Sequence, residues 1–162
     1  MSDDVMGETP RPTPAGFVNV DWTRGFGRQV GPLFRKDEDG RRVMGLYVED
    51  HHTNGMQNAH GGLLMTLADM AWGNVVSMER SVFWVTVRLT CDFLASASSG
   101  EWLEAGGELV SDDDGLYIVR GRVWSAQKTL VSGTGVFKSI RPREPRPGEK
   151  AFVGRAPGAV DV

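Results

Sequence analysis

The chain has 162 residues with 40% apolar and 24% charged side chains, which is typical of one globular domain and argues against disorder. Its net charge of -3 provides no general attraction to nucleic acid or anionic lipid. A single cysteine cannot form an internal disulfide, which favours a reducing compartment. With neither a signal-peptide pattern nor an apolar run of about 20 residues, we expect a cytoplasmic protein without nucleic-acid or membrane partners.

Both ends of the chain are predicted to be tails. Residues 1–16 are acidic and proline-rich, and residues 141–162 are rich in proline, arginine and glycine. Neither segment has the periodicity of a helix or a strand. We therefore expect a disordered N-terminal tail, a folded domain over 17–140 and a C-terminal tail.

The predicted domain begins with a hairpin and continues with one long helix. Two short apolar segments within 30–47 flank the turn sequence Asp37-Glu38-Asp39-Gly40, which indicates a hairpin. Residues 61 to about 78 have few β-branched side chains at their start and are apolar on most sides. A helix that is apolar nearly all round is buried.

Four predicted strands follow the helix, over 82–94, 101–110, 116–125 and 129–140. The first alternates, which predicts one shared face for Phe83, Val85, Val87, Leu89, Cys91 and Phe93. Consecutive strands joined by turns favour an antiparallel meander. One buried helix against one antiparallel sheet is an α+β architecture.

Small and polar residues form a seam along the predicted helix. Gly62, Thr66, Asp69 and Gly73 recur at spacings of four, three and four, which places them on one helix face. A carboxylate among apolar neighbours is costly to bury unless it is paired or hydrogen-bonded. Asp69 is therefore either a structural residue satisfied by Thr66 or a strand, or a functional acid.

The helix begins with Gly61 and Gly62, directly after His60. Free N–H groups and the positive end of the helix dipole can bind an anion or a polarised carbonyl oxygen there, although a bare glycine pair is also compatible with a flexible helix entry. Gly61 and Asp69 are eight residues apart, about 12 Å along a helix. Both can act on one carbonyl only if two helices lie antiparallel in a two-fold homodimer.

The stretch from Asn54 to Asp69 resembles the signature of hotdog-fold acyl-CoA thioesterases of the phenylacetate-pathway (PaaI-like) type. That signature is an Asn, a Gly, then His-Gly-Gly, with an acidic residue nine positions after the His, and here it reads Asn54, Gly55, His60-Gly61-Gly62 and Asp69. The resemblance implies a long central helix wrapped by a curved antiparallel sheet. It also implies hydrolysis of an acyl-CoA to a carboxylic acid and free coenzyme A, with no metal or redox cofactor.

The resemblance assigns a role to each matching residue. Asp69 stands at the catalytic carboxylate, acting either as a base on water or as a nucleophile on the thioester. Gly61 would donate its N–H to the thioester oxygen. His60 and Asn54 would order the loop and position the thioester or the water, and Thr86 would help to hold the water.

Further residues are expected around the substrate. Gly55 and Met56 would shape the loop and Gly62 would keep the helix face narrow. Candidate acyl-pocket walls are Trp72, Phe83 and Trp84, each of which also suits a core position. The family pattern combines Asn54 and Gly61 of one subunit with Asp69 and Thr86 of the other, in a homodimer that often pairs into a tetramer.

Two other functions stay open at this point. A hotdog enoyl-thioester hydratase or dehydratase would use a His and a carboxylate at other spacings. A non-catalytic acyl-CoA binding module would bind the thioester without turnover. A metal at His51-His52 is disfavoured because no Cys or Glu stands at ligand spacing, and Arg120, Arg122 and Lys138 either meet coenzyme A phosphates or are solvated.

Overall fold

The computed structural model describes residues 11–22, 25–126 and 128–150, which form one seven-stranded antiparallel sheet and two α-helices. The helices are α1 (Phe26–Val30) and α2 (Gly61–Arg80). The strands are β1 (Val18–Val20), β2 (Leu33–Glu38), β3 (Arg41–Tyr47), β4 (Val82–Phe93), β5 (Trp102–Asp113), β6 (Leu116–Ser125) and β7 (Lys128–Pro142). Their order across the sheet is β1-β2-β3-β5-β6-β7-β4.

The predicted hairpin is confirmed and consists of β2 and β3. Its two turn residues, Asp39 and Gly40, have φ angles of 51° and 73°. Positive φ at both positions is the two-residue turn that matches the twist of paired strands. The strand β1 and the helix α1, which the sequence patterns do not indicate, precede this hairpin.

Helix α2 packs across the concave side of the curved sheet and confirms the α+β prediction. It begins after His60, whose side chain accepts the Gly62 N–H, and ends before Ser81, which adopts the left-handed conformation. Its fully buried residues include Leu67, Ala71 and Val76. No helix in the described residues is long and apolar enough to cross a membrane.

The meander prediction is correct for β5, β6 and β7 but wrong for β4. Strand β4 pairs with β7 at the sheet edge, so β6 and β7 separate it from β5. The connection after β4 crosses the end of the sheet: the Leu94 N–H bonds Leu130, the Ala97 carbonyl bonds Ala59, and the Gly100 N–H bonds Val48. These bonds carry the chain from the β7 edge past the helix entry to β3.

The predicted single apolar face of β4 is also wrong. The register of β4 against β7 shifts between Thr86 and Arg88, which leaves Val87 as the extra residue of a bulge. One inserted residue moves every following side chain to the other face. Phe83 and Val85 are consequently exposed on the outer face, whereas Leu89, beyond the bulge, packs against the core.

The C-terminal segment does not begin as a tail at residue 141. Strand β7 continues to Pro142, and the Arg143 and Lys150 N–H groups donate to the carbonyls of Ser81 and Met78 at the end of α2, each at 2.9 Å. The enclosed Glu149 carboxylate lies 2.7 Å from the Arg143 guanidinium. The proline-rich sequence does not indicate these contacts because they are made with a distant part of the chain. Residues 1–10 and 151–162 lie outside the described residues, so the tails there stay a prediction.

Candidate active site

Asp69 and Thr86, which are distant in sequence, meet between α2 and β4. The Thr86 hydroxyl donates to Asp69 Oδ1 at 2.6 Å. Asp69 is half-buried and Thr86 is exposed, so the pair lies at the surface of the chain. A hydrogen bond to one carboxylate oxygen orients the group while it stays accessible to water or a ligand.

The rest of the helix seam does not satisfy Asp69. The Thr66 hydroxyl donates to the Gly62 carbonyl at 2.8 Å, inside its own helix. Gly73, one turn beyond Asp69, lies against the indole of Trp84. The partner of the carboxylate is therefore the strand hydroxyl of Thr86, one of the structural options that the sequence left open.

The start of α2 presents a backbone donor. His60 Nδ1 accepts the Gly62 N–H at 2.9 Å, and the His60 carbonyl accepts the Leu64 N–H. In the part of the chain that the structure describes, the Gly61 N–H donates to no protein acceptor. This N–H stands at the positive end of a 20-residue helix, where negative charge is stabilised.

The ring of Phe93 lies beside Gly61, which the motif reasoning missed. Its nearest carbon is 3.4 Å from the position of a Cβ on Gly61, and the side chain is exposed. The bulge at Val87 turns Phe93 toward the helix entry. The alternation of side chains along β4 therefore places Phe93 beside Gly61 only when the position of the bulge is known.

Asn54 orders the loop that precedes α2. Its Oδ1 accepts the N–H groups of Met56 at 2.9 Å and Asn58 at 3.3 Å. Met56 is 77% exposed, and a Cβ on Gly55 would meet open space. Hydrogen bonds inside the loop hold its conformation, and its exposed tip is available to contact a ligand or a second chain.

The two groups of predicted site residues do not meet in one chain. Asn54, His60 and Gly61 stand at the helix entry, whereas Asp69 and Thr86 lie about 12 Å farther along the axis. Two cavities of about 370 and 270 Å³ lie elsewhere on the chain, and neither group lines them.

The three predicted acyl-pocket walls have different positions. Trp72 is fully buried against Gly121, so the expectation that it lines a pocket is not met. Its helix face points at the sheet, where the missing side chain of Gly121 makes room for the indole. Phe83 is at the far end of β4 under the Arg141 guanidinium, at 4.9 Å. Trp84 alone is next to Asp69 and Thr86.

Arg120 and Arg122 of β6 lie on the outer face of the sheet. Arg120 pairs with Glu108 at 3.0 Å, and the Arg122 guanidinium lies over the Trp124 ring. Both arginines line the larger cavity. The Glu108 partner neutralises part of this surface, which agrees with a solvated sheet face.

His52 is a structural residue of the loop. Its Nδ1 accepts the Glu49 N–H at 3.0 Å and its Nε2 bonds the Val30 carbonyl at 2.8 Å, so both ring nitrogens are occupied. This bonding agrees with the view that His51-His52 is not a metal pair. Burial, and next the neighbouring His51, lower the pKa of His52.

We expect acidification to destabilise the protein through His52. Because the folded-state pKa lies below the ordinary 6.5, the unfolded chain takes up the proton first. The stabilisation that the neutral His52 provides is complete above pH 6.5 and is lost as the pH falls through the lowered pKa. The free energy of unfolding falls by at most about 1.4 kcal/mol per pH unit. Melting temperatures from pH 8 to pH 5 should show this fall. His52→Gln should flatten the profile, whereas His51→Gln should flatten it less because it removes only the smaller cause of the shift. Equal slopes in all three proteins would contradict the prediction.

Comparison with known proteins agrees with this fold. A model of the thioesterase superfamily matches residues 56–132. "Putative esterase PA0474" of Pseudomonas aeruginosa is 34% identical over 127 residues, which are 76% of this chain and 95% of that protein.

Solved structures give the same fold. The Escherichia coli PaaI protein from the phenylacetic acid degradation operon has a TM-score of 0.61 at 24% identity, over 70% of this chain and 83% of its own. The smu.793 protein of Streptococcus mutans, bound to acetyl-CoA, has a TM-score of 0.66 at 23% identity, over 77% and 98%. The long helix in a curved antiparallel sheet is thus the hotdog fold, as the resemblance implied. The chain belongs to the thioesterase superfamily, and its class of enzyme is thioester hydrolase.

Proposed function

We propose that this protein hydrolyses acyl-CoA thioesters to a carboxylic acid and free coenzyme A. The observation that carries the proposal is the accessible Asp69 carboxylate, oriented by the Thr86 hydroxyl at 2.6 Å on one face of α2. The acetyl-CoA bound to the Streptococcus mutans structural neighbour supports coenzyme A as the leaving group.

In the first of two routes, Asp69 acts as a general base. It takes a proton from water as the water oxygen bonds the carbonyl carbon, and the carbonyl π electrons move to oxygen. The tetrahedral intermediate then expels the coenzyme A sulfur, which takes the proton. In the second route, the Asp69 carboxylate attacks the carbonyl carbon and expels the coenzyme A thiolate, which leaves an anhydride on Asp69. Water then hydrolyses the anhydride, which releases the carboxylic acid, regenerates the Asp69 carboxylate and supplies the proton that the thiolate takes up. Thr86 bonds one carboxylate oxygen in both routes and leaves the other to react.

The Gly61 N–H is proposed as the donor to the developing oxyanion. His60 already occupies the next donor of the helix, the Gly62 N–H. The Gly61 N–H, which donates to no acceptor within the described residues, therefore combines a hydrogen bond with the field of the helix dipole. Such preorganised donors stabilise the transition state strongly. Asn54 and His60 hold the loop and the helix entry around this donor.

A second copy of the chain is proposed to complete each site. Strand β4 is the edge of the sheet in the described residues and exposes Phe83, Val85 and Val87 on its outer face. A long apolar edge strand favours pairing with another strand. Two-fold pairing of β4 edges would place two α2 helices antiparallel, with Gly61 of one chain opposite Asp69 of the other.

Mixing two inactive variants tests the shared sites. Asp69→Asn removes the carboxylate, and Gly61→Pro removes the N–H. A mixed dimer has one site with both groups intact and one with neither. After random subunit exchange, half of the dimers are mixed, so about a quarter of wild-type sites should be restored. Thiol release measured before and after exchange gives the result.

Subunit exchange itself must be verified, for example by energy transfer between differently labelled chains. Mixing each variant with itself is the matched control and should restore nothing. If exchange occurs and no activity returns, each site lies within one chain and the shared-site proposal is wrong.

A panel of acyl-CoAs tests the reaction class. We expect thiol release with saturated acyl-CoAs. With an enoyl-CoA, the absorbance of the conjugated thioester should fall no faster than thiol is released. Loss of that absorbance without thiol release would identify a hydratase, and binding without either signal would identify a binding module.

A further inference from the structure

Trp84 occupies the space directly beside the proposed catalytic pair. Gly73 is one helical turn beyond Asp69 on the same face of α2. Trp84 is two residues before Thr86 on the same face of β4, since no shift of register lies between these two residues. The Gly73–Trp84 contact is therefore adjacent to the Asp69–Thr86 hydrogen bond.

The indole of Trp84 is held on several sides. A Cβ built on Gly73 would lie 2.0 Å from the ring, so the indole rests on the bare helix backbone. Trp84 Nε1 donates to Ser77 Oγ at 3.0 Å, and the ring meets the fully buried Phe137 edge-on with centroids 5.1 Å apart. Such contacts leave a side chain little freedom to move away from a ligand.

We propose that Trp84 forms the end wall of the pocket that holds the acyl group. This wall restricts the substrates to compact acyl groups, either short aliphatic chains or a single ring. This inference rests on the proposed thioesterase function. The carbonyl carbon must come within about 3–3.5 Å of its attacking atom, at Asp69 or its water. Gly73 and the indole begin about 6 Å farther along the helix. A longer extended chain along this face would meet the indole.

Chain-length selectivity tests the inference. Acetyl-, butyryl-, benzoyl-, octanoyl- and palmitoyl-CoA would be compared in the wild type and in Trp84→Ala. In the wild type, kcat/KM for palmitoyl-CoA is expected to be at least tenfold below that for butyryl-CoA. Trp84→Ala should raise the palmitoyl-to-butyryl ratio at least tenfold. A ratio within one variant cancels any loss of folded enzyme.

Two further variants keep the test decisive. Trp84→Phe is a milder truncation that retains a ring, and it should raise the ratio by less than Trp84→Ala does. Trp124→Ala removes an indole from the outer sheet face and should leave the ratio unchanged. Equal use of palmitoyl- and butyryl-CoA by the wild type would overturn the inference, as would an unchanged ratio in the folded Trp84 variants.

Measurements of acyl-CoA binding distinguish a failure of this inference from a failure of the proposed function. In Asp69→Asn, dissociation constants for the same acyl-CoAs are measured with and without Trp84→Ala. If the wild type hydrolyses no acyl-CoA, the proposed function fails. Tenfold tighter palmitoyl-CoA binding on loss of Trp84, relative to butyryl-CoA, still supports the inference, whereas an unchanged ratio, or no acyl-CoA binding at all, overturns it.

Discussion

Replacing Asp69 with Asn is expected to lower kcat for thioester hydrolysis by about 10²–10⁴-fold, the usual contribution of a positioned acid–base group. The amide keeps an oxygen that can accept the Thr86 hydroxyl, so the contact between α2 and β4 is preserved. It can neither take a proton from water nor attack the thioester. Initial rates of thiol release with saturating acyl-CoA measure the effect.

Asp92→Asn is the matched control for this variant. Asp92 is also on β4 but is exposed beyond the bulge, so its substitution should leave kcat within about twofold of the wild type. Both variants should melt near the wild-type temperature. Full turnover by Asp69→Asn would refute the assignment of the catalytic carboxylate.

Replacing Gly61 with Pro is expected to lower kcat by about 10²–10³-fold, as removal of one oxyanion donor does elsewhere. Proline has no backbone N–H, its ring adds carbon atoms that glycine lacks, and it is favoured at the first position of a helix. His60 has a ψ of 139°, the extended conformation that a residue before proline requires. The helix should therefore still form.

Gly61→Ala distinguishes the effect of losing the N–H donor from the effect of replacing the glycine. Its added Cβ would lie 3.4 Å from Phe93, an ordinary contact, and its N–H is retained. We expect the alanine variant to keep most of the activity and the proline variant to lose it, with similar circular dichroism spectra for both. Equal activity of the two variants would show that the N–H is not used.

Much of the helix and its seam could be predicted from the sequence because their signals are local. Spacings of three and four place Gly62, Thr66, Asp69 and Gly73 on one face of any helix. His60 and the glycine pair mark the helix start, and Asp39-Gly40 suits one turn type. The sequence also predicted the class of enzyme, since the spacing from Asn54 to Asp69 is that of the thioesterase signature.

The edge position and side-chain directions of β4 could not be predicted in this way. A bulge at Val87 reverses the alternation, and strand pairing depends on a connection that crosses the sheet rather than on a tight turn. Trp72 and Trp84 are both indoles near the motif. Only the packing against Gly121 and Gly73 decides that one lies in the core and the other beside Asp69.

The sequence by itself therefore determined the family, the α+β architecture and the helix face that carries Asp69, because hydrophobic periodicity and motif spacing are properties of neighbouring residues. Only the tertiary structure decided that Thr86 bonds this carboxylate, that the Gly61 N–H has no acceptor in the described chain, and that Trp84 fills the adjacent space. Those outcomes depend on which distant segments pack together, and strand register and bulges set that packing.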